Sequence, residues 1–392
     1  MHGAPSPDPD AASADLAVNV AVVGAGPVGS LTALAAVQAG HTVALVAPER
    51  AHDPRTTALL MPSVDLLEAH GAWADAAPHA APLITMRIID QTDHVPRAPE
   101  VAFDAFEVGL DQFGFNIAND ALNAALASQL AASGVVRIAE IADGFVPGAR
   151  GRIAVGGRTV SADLVVAADG AQSLVRDAAG IRARRWSYRQ AAFVTTLSHE
   201  RSHGNASLEF HTPSGPFTLV PLPGERSSLV WVGRPEEAER WSRLDPGPLA
   251  REIERRAHNV LGRMSVDGPR GVIPMDGLVA LTFGARGVVL VGEAAHRFPP
   301  IGAQGLNLGF RDVAALAGLL RRRDVGLADL PARYDVRRRT DVALRTASVD
   351  LLNRSLLTGA FLPTAARAAA LSAARGVGPL RRAMMRFGLG AM

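Results

Sequence analysis

The 392-residue chain contains no cysteine, and all 40 of its basic residues are arginine because lysine is absent too. Without cysteine there is no disulfide, no thiolate nucleophile, no iron–sulfur cluster and no cysteine-ligated zinc. Without lysine there is no residue to form the Schiff base that pyridoxal enzymes require. These absences exclude several large classes of chemistry before any motif is considered.

Long hydrophobic runs are also missing. The longest candidate, Leu31 to Val46, is interrupted by Gln38, Gly40 and His41, and a membrane-spanning helix needs about 18 or more apolar residues in a row. Residues 1–18 lack the basic and apolar regions of a signal peptide and are predicted to be a disordered leader. Together these features predict a cytoplasmic protein.

Positive charge is concentrated at the C-terminus. The formal net charge is +2, but residues 331–392 hold eleven arginines against three aspartates, so the first 330 residues carry −6. Residues 326–392 are therefore predicted to be a basic helical region. Two interpretations stay open: a solvated face whose arginines pair with the acidic body, or a surface that meets anionic lipid at the inner face of the membrane or a partner enzyme. The overall charge does not indicate nucleic-acid binding.

A glycine-rich turn joins a strand to a helix near the N-terminus. From Val20 the chain reads VAVVGAGPVG, in which Gly24, Gly26 and Gly29 form G-x-G-x-x-G after a buried strand. Gly24 permits the tight turn, Gly26 lets the backbone approach a pyrophosphate, and Gly29 lets helix and strand pack closely. The helix N-terminus offers free N–H groups to phosphates. This segment, with Ala25, Pro27 and Val28 between the glycines, predicts dinucleotide binding.

The acidic residue expected at the end of the second strand is missing. Ala47 occupies the position from which a carboxylate would hold the ribose hydroxyls, and Glu49 follows two residues later. Either Glu49 reaches back from the loop, or backbone and water hold the ribose. The first alternative is preferred.

Two further clusters follow. The first is ADLVVAADGAQSLVR at residues 162–176, and the second is GEAAHRFPPIGAQGLNLGFRD at residues 292–312. Between them, residues 189–233 change to short β-rich runs separated by Gly/Pro turns, which predicts an antiparallel sheet. Two glycine loops that feed helix N-termini suit a ligand with two electron-rich ends, one a pyrophosphate and the other a ring that becomes anionic on reduction.

The three motifs together resemble the single-component FAD-dependent aromatic hydroxylases, class A flavoprotein monooxygenases, and most closely the ubiquinone-biosynthesis ring hydroxylases. The resemblance runs from about Val20 to the end and includes RTTALL at Arg55, LSHERSHGNASLEF, GPFTLVPLPGERSSLVW and YDVRRRTDV. It implies an α/β fold in which a Rossmann-like FAD-binding domain carries an inserted antiparallel-sheet substrate domain and C-terminal helices. The predicted FAD-binding domain comprises residues 19–72, 101–180 and 273–325, and the predicted substrate domain comprises residues 73–100 and 181–272.

The resemblance also implies the chemistry. FAD would be the cofactor, NAD(P)H the reductant and O2 a co-substrate, and the ring of a polyprenylated phenol would be hydroxylated through a flavin C4a-hydroperoxide. The first motif would bind ADP, while Asp169 and Gly170 would contact the FAD pyrophosphate and be linked to NAD(P)H use. Arg55 matches a family arginine near the flavin or its phosphates. The ribityl and ring contacts would come from the third motif, namely Gly292, Glu293, Gly302, Ala303, Gln304, Gly305, Leu306 and Asn307.

Some positions depart from the family or allow other interpretations. Glu293 stands where the family more usually has aspartate, and the loop of Pro299 and Pro300 would cover the reacting oxygen and exclude water. His296 is expected to stabilise this loop or cap a helix and not to transfer protons. Residues 199–203 spell H-E-x-x-H, but the zinc site of that pattern needs a helix, and the preceding FVTTLS favours a strand. The two rings are therefore not expected to converge, and no metal site is predicted.

Two alternative functions stay open. The same fold could hydroxylate a soluble phenol or a secondary metabolite. It could also be a catalytically silent flavin-binding scaffold within a quinone-synthesis complex.

Overall fold

The computed structural model describes residues 15–49, 52–92, 99–299, 304–357, 372–373 and 375–389. Most of the predicted leader lies outside these residues. Residues 16–18, which the sequence analysis assigned to it, belong instead to the first strand. From Leu16 onward this strand pairs in parallel with the strand Arg158–Ala167.

The structure contains three sheets and a set of helices. The strands are β1 Leu16–Val23, β2 Val43–Val46, β3 Thr56–Leu60, β4 Ala80–Leu83, β5 Thr85–Asp90, β6 Val101–Asp104, β7 Gly114–Ala118, β8 Val136–Ile138, β9 Ala142–Val146, β10 Gly151–Val155, β11 Arg158–Ala167, β12 Ala183–His199, β13 Ala206–Thr212, β14 Gly215–Leu222, β15 Arg226–Gly233, β16 Met264–Val266, β17 Gly271–Ala280, β18 Gly284–Ala285, β19 Val288–Leu290 and β20 His296–Arg297. The helices are α1 Pro27–Gln38, α2 Met61–Ala69, α3 Trp73–Ala76, α4 Asn119–Ala131, α5 Leu174–Ala178, α6 Pro235–Arg243, α7 Pro246–Arg256, α8 Gln304–Leu320, α9 Leu330–Leu357 and α10 Gly378–Leu389.

The first sheet is the nucleotide-binding scaffold. Strands β19, β11, β1, β2 and β8 lie side by side in parallel, and β9, β10 and β18 extend the sheet in antiparallel fashion. Helix α1 is buried from Gly29 to Ala36 and packs between α4 and α8. A helix that is apolar on every side must be covered on every side, so the Ala/Leu-rich sequence after the glycine turn places α1 in the interior.

The second sheet forms the β-rich part of the molecule. Its nine strands run in the order β20, β17, β12, β15, β14, β13, β5 and β6, with β16 beside β12. All of these pairs are antiparallel except β13 with β5, which is parallel. Helices α6 and α7 cover one face, where the rings of Trp231 and Trp241 stack with centroids 3.7 Å apart. The opposite face remains available to line a cavity.

Sheet membership can be compared with the predicted domain boundaries. Strands β6 and β17 lie in the second sheet, although residues 101–180 and 273–325 were predicted to belong to the FAD-binding domain. Strand β4, predicted within the substrate domain, pairs with β7 in the small sheet β3-β7-β4. The division into domains stays a prediction. By sheet membership alone, β6 and β17 would be grouped with the second sheet and β4 with the small sheet. Within the described part of the chain, no helix is both long enough and apolar enough to cross a bilayer.

Candidate flavin and substrate site

Parallel pairing brings the three sequence motifs to one edge of the first sheet. Val23 at the end of β1 lies beside Ala167 of β11 and Val46 of β2, and Ala167 lies beside Leu290 of β19. The loops that follow these strands therefore meet, as expected at the carboxyl edge of an open parallel sheet. A cavity of about 1240 Å³ begins here and continues to the open face of the second sheet. Pockets for a single small ligand are about 300–1,000 Å³, so this one has room for a cofactor and a second molecule.

The first glycine motif forms the wall of the cavity at the nucleotide end. Gly24 has a φ of +106°, and a Cβ there would lie 2.2 Å from the carbonyl oxygen of Ala168. A Cβ on Gly29 would lie 1.9 Å from the carbonyl oxygen of Gly24. Gly26 caps α1, and Pro27 occupies its first turn, where the missing N–H costs nothing. Ala25 and Val28 also line the cavity. This end is a backbone cradle facing a helix N-terminus, which suits a pyrophosphate.

Asp169 and Gly170 face the same space from the end of β11. Asp169 Oδ2 accepts a hydrogen bond from the Val175 N–H at 3.2 Å, while its Oδ1 is buried without a partner among the described residues. Burial raises the pKa of this carboxyl above its usual value. Gly170 has a φ of +83°, which favours glycine. A buried polar atom without a partner is exceptional in folded proteins, and a ligand hydroxyl or N–H would satisfy it. The glycine cradle and this orphaned oxygen fit FAD.

Glu49 lines the cavity beyond β2 and is exposed, so its side chain is free to turn toward a ribose. Ala47 is buried and lines the cavity as well. The structure thus places both residues where the sequence analysis expected the ribose to lie. Which of the two predicted modes holds the ribose stays a prediction.

Arg55 is held by a carboxylate that the sequence analysis missed. Its Nε and Nη2 donate to the two oxygens of Asp53 at 2.7 Å each, and Asn119 Nδ2 donates to Asp53 Oδ2 at 3.0 Å. Burial raises the pKa of Asp53, but these hydrogen bonds and the Arg55 charge outweigh it and leave the pKa well below its usual value. Arg55 itself is 44% exposed and lines the cavity. The pair fixes the Arg55 guanidinium at the cavity wall.

The described part of the third motif divides into lining residues and supporting residues. Gly292, Glu293, Pro299, Gly305 and Leu306 line the cavity. Asn307 is not among the lining residues: its Oδ1 accepts from Leu60 N at 2.9 Å and Ser63 Oγ at 2.7 Å, and its Nδ2 donates to Ala58 O at 2.8 Å. A direct cofactor contact from Asn307 stays a prediction. Pro300, Gly302 and Ala303 lie outside the described residues, as does the side chain of Gln304.

A buried network of charged side chains holds the third motif in place through hydrogen bonds to Gly292 and His296. The carboxylate of Asp312 accepts from Gly292 N at 2.9 Å, His296 Nε2 at 2.7 Å and Arg338 Nε at 2.7 Å. Asp312 is fully buried and Arg338 is 4% exposed. Burial acts to raise the pKa of Asp312, but His296 and Arg338 lower it below its usual value. His296 thus stabilises the loop, in agreement with the role expected for it. Asp312 and Arg338 were missed as partners because 26 residues separate them.

The arginines of α9 are only partly solvated. Arg338 also donates to Asp341, which in turn accepts from Arg311 and Arg345. Helix α10 contributes Met384, Met385, Gly388 and Leu389 to the cavity wall. The C-terminal region is therefore part of the site, which neither of the two sequence interpretations anticipated.

The H-E-x-x-H segment forms a strand end and a turn, as predicted, and not the helix that a zinc site of this pattern needs. The ring centroids of His199 and His203 lie 5.7 Å apart, edge to face. Their nitrogens are engaged in hydrogen bonds: His199 contacts Arg201 O at 2.9 Å and Ser227 Oγ at 3.0 Å, and His203 contacts Leu222 O, Gly224 O and Asn205 N. Among the described residues, no group of three histidines or carboxylates is arranged to hold a metal ion.

Comparisons with known proteins agree with this geometry. Residues 17–340 match the family model of the FAD binding domain. The chain is 32% identical over 420 residues to the ubiquinone hydroxylase UbiL of Rhodospirillum rubrum, covering 100% of this chain and 95% of that protein. It is 31% identical to the 3-demethoxyubiquinol 3-hydroxylase of Escherichia coli, covering 95% and 98%.

A solved structure confirms the fold. The p-nitrophenol 4-monooxygenase PnpA of Pseudomonas putida superposes with a TM-score of 0.78 at 20% identity, covering 95% of this chain and 98% of PnpA. At this identity the likeness establishes the α/β fold alone. The family match, the curated relatives and a site that fits FAD lead to one assignment: this chain belongs to the class A FAD-dependent aromatic hydroxylases and is a monooxygenase.

Proposed function

We propose that this protein uses FAD, NAD(P)H and O2 to hydroxylate the aromatic ring of a polyprenylated phenol in ubiquinone biosynthesis. The observation that carries the proposal is near-complete similarity to two proteins named as hydroxylases of ubiquinone or its precursor. The size of the cavity supports it, because one continuous space runs from the glycine motif to the second sheet.

The flavin, when bound, supplies the electron transfer and oxygen activation that no side chain of this chain can perform. The residues around it bind, orient and exclude water. Gly24, Gly26 and the N-terminus of α1 would hold the pyrophosphate, and Asp169 Oδ1 would accept a hydrogen bond from the cofactor. Arg55, held by Asp53, would place a positive charge near the flavin or its phosphates. Pro299 shields the reacting region from water.

The far end of the cavity suits an apolar tail. Its wall combines residues of the second sheet with residues of α10, and the side chains that give it apolar character are Met86, Phe103, Phe113, Met384, Met385 and Leu389. Met385 and Leu389 pack with Phe103 and Phe113 in one cluster. Met86 and Met384 are 36% and 38% exposed, so this wall reaches the surface. We therefore place the prenyl tail along α10.

Helix α10 and its neighbouring segments offer a membrane-facing surface, defined here as Phe106, Val377, Leu380 and Met384. These side chains are 38% to 64% exposed. Arg375, Arg382 and Arg386 are exposed on or next to the same helix, and an ion pair of Arg381 with Glu107 holds α10 against the turn that carries Phe106. Exposed apolar residues flanked by arginine are typical of helices that lie on anionic membranes. A tail drawn from the bilayer would enter at this surface.

The test combines spectroscopy with turnover. The purified protein is expected to show flavin absorption, to consume O2 with NAD(P)H, and to form a hydroxylated product from a prenylated phenol. Bacterial strains that each lack one ubiquinone ring hydroxylase should include one that this gene complements, and the intermediate that disappears identifies the ring position. Flavin binding without NAD(P)H oxidation would indicate a scaffold instead. Turnover of soluble phenols alone would overturn the polyprenyl assignment.

A further inference from the structure

Strands β13, β14 and β15 line the cavity where it meets the second sheet, and they contribute one acidic side chain to its wall. Within these three fully described strands, the lining residues are Ser207, Glu209, Thr218, Val220, Ser228 and Val230, with Leu229 at the edge. By strand pairing, Glu209 lies opposite Thr218, which lies opposite Val230. The row across the three strands therefore consists of Glu209, the hydroxyl of Thr218 and the aliphatic side chain of Val230.

Glu209 is held by a histidine on its own strand. Residues two apart on a strand share a face, and His211 Nε2 lies 2.8 Å from Glu209 Oε1. The side chains of His211 and Glu209 are 5% and 17% exposed, so the histidine lies deeper and the carboxylate faces the cavity. This contact fixes one carboxylate oxygen and leaves Oε2 available to a ligand.

The hydrogen-bond pattern indicates the charge state of the pair. His211 Nδ1 is buried and has no hydrogen-bond partner among the described residues. A protonated ring would bury an N–H donor without an acceptor, whereas a neutral ring with its proton on Nε2 leaves only an acceptor unused and donates to Glu209. No arginine in the described part of the chain pairs with Glu209. Glu209 thus has no arginine partner among the described residues, and its Oε2 can accept a hydrogen bond from a ligand.

We propose that Glu209 is the catalytic base that accepts the phenolic proton of the substrate, with His211 as its positioning residue. This inference rests on the proposed function. As the ring gives up electron density to the incoming oxygen atom, its hydroxyl becomes acidic. The O–H bond breaks, its electron pair moves into the ring as a C=O bond forms, and the proton passes to Glu209 Oε2. The ring carbon later loses its own hydrogen as a proton to restore aromaticity.

Kinetics of the flavin-loaded, full-length protein test the base. Glu209→Gln should lower kcat by roughly 10²- to 10⁴-fold, the usual contribution of a general base, with KM changed less than about threefold. NAD(P)H oxidation should continue while the fraction of it that yields product falls. Glu100→Gln is the matched control, because it removes a carboxylate that pairs with Arg87 on the exposed side of the same sheet. Wild-type kcat in Glu209→Gln would overturn the proposal.

A binding measurement separates catalysis from structural support. The probe is a geranyl-substituted nitrophenol, whose phenol and phenolate forms differ in absorption. An ionised Glu209 that accepts its hydroxyl proton as a hydrogen bond keeps the bound probe neutral, so Glu209→Gln should shift the bound probe toward phenolate, and the control should not. An unchanged spectrum would contradict the contact.

Substitutions of His211 provide a second test of the proposal. If Glu209→Gln fails to fold, His211→Gln, which keeps an N–H donor, should fold and retain more turnover than His211→Leu. Equal turnover in these two variants would contradict the positioning role.

If the wild-type protein hydroxylates no prenylated phenol, the proposed function fails, while the nitrophenol spectrum still tests whether Glu209 meets a phenolic hydroxyl.

Discussion

The two ends of the cavity are built in different ways. At the nucleotide end the backbone forms the surface, and Cβ atoms on Gly24 or Gly29 would approach carbonyl oxygens to 2.2 Å and 1.9 Å. At the other end, side chains from strands and a helix that are distant in the sequence form the surface. Glu209 from β13 and Met385 from α10 are examples. The first construction allows almost no substitution, and the second allows many without a change of fold. We therefore expect the nucleotide end to hold the cofactor and the sheet end to select the substrate.

The largest effect on cofactor binding is expected at the nucleotide end. Gly29→Ala would force its Cβ into the Gly24 carbonyl and open the cradle, so FAD affinity should fall by about 100-fold or more, which corresponds to about 3 kcal/mol. Flavin fluorescence titration measures this loss. Gly318→Ala is the matched control, since Gly318 is exposed on α8 and a Cβ there meets nothing within 4 Å. Normal flavin binding by Gly29→Ala would show that the cradle is not the binding surface.

The second prediction concerns the support of the third motif. Arg338→Met leaves the buried carboxylate of Asp312 without its arginine, and breaking a buried pair costs about 3–5 kcal/mol of unfolding free energy. Urea unfolding of the FAD-saturated protein measures the change, and FAD affinity should fall as well because Asp312 holds Gly292. Arg322→Met serves as the control, because its pair with Asp324 is exposed. If the two variants behaved alike, the network would have no supporting role.

The third prediction uses pH on the same network. Burial acts to raise the pKa of Asp341, but Arg338 and Arg311 lower it from 3.8 to about 2. A depressed carboxyl pKa contributes stability that is present above 3.8 and is lost as the pH falls toward 2. Screening at this half-buried position reduces the contribution to about 1–2 kcal/mol. The stability gap between wild type and Asp341→Asn should therefore close between pH 4 and pH 2, and a gap independent of pH would contradict the assignment.

The same contrast explains what the sequence could and could not predict. The fold and the strand–turn–helix setting of the glycine motif were confirmed, because their signals lie within a few adjacent residues and follow from backbone sterics. Asp312 with Arg338, and Glu209 with the α10 residues, were missed as site components because each depends on which distant elements the fold brings together. The predicted boundary before residue 101 separates β6 from its partner β5, and the one before residue 273 falls inside β17, because no turn or composition signal marks which sheet a strand joins.

The smallest expected effect lies at the mouth of the sheet end. Leu380→Glu places a charge in the membrane-facing surface, and losing the insertion of one half-exposed leucine should weaken binding to vesicles by about tenfold, or roughly 1.4 kcal/mol. Sedimentation with phosphatidylglycerol vesicles measures this, and added salt should weaken wild-type binding because the exposed arginines contribute. Val146→Glu, which charges an exposed residue on the first sheet, should bind as wild type does. Equal binding by Leu380→Glu and wild type would remove α10 from the membrane and leave it only as a wall of the cavity.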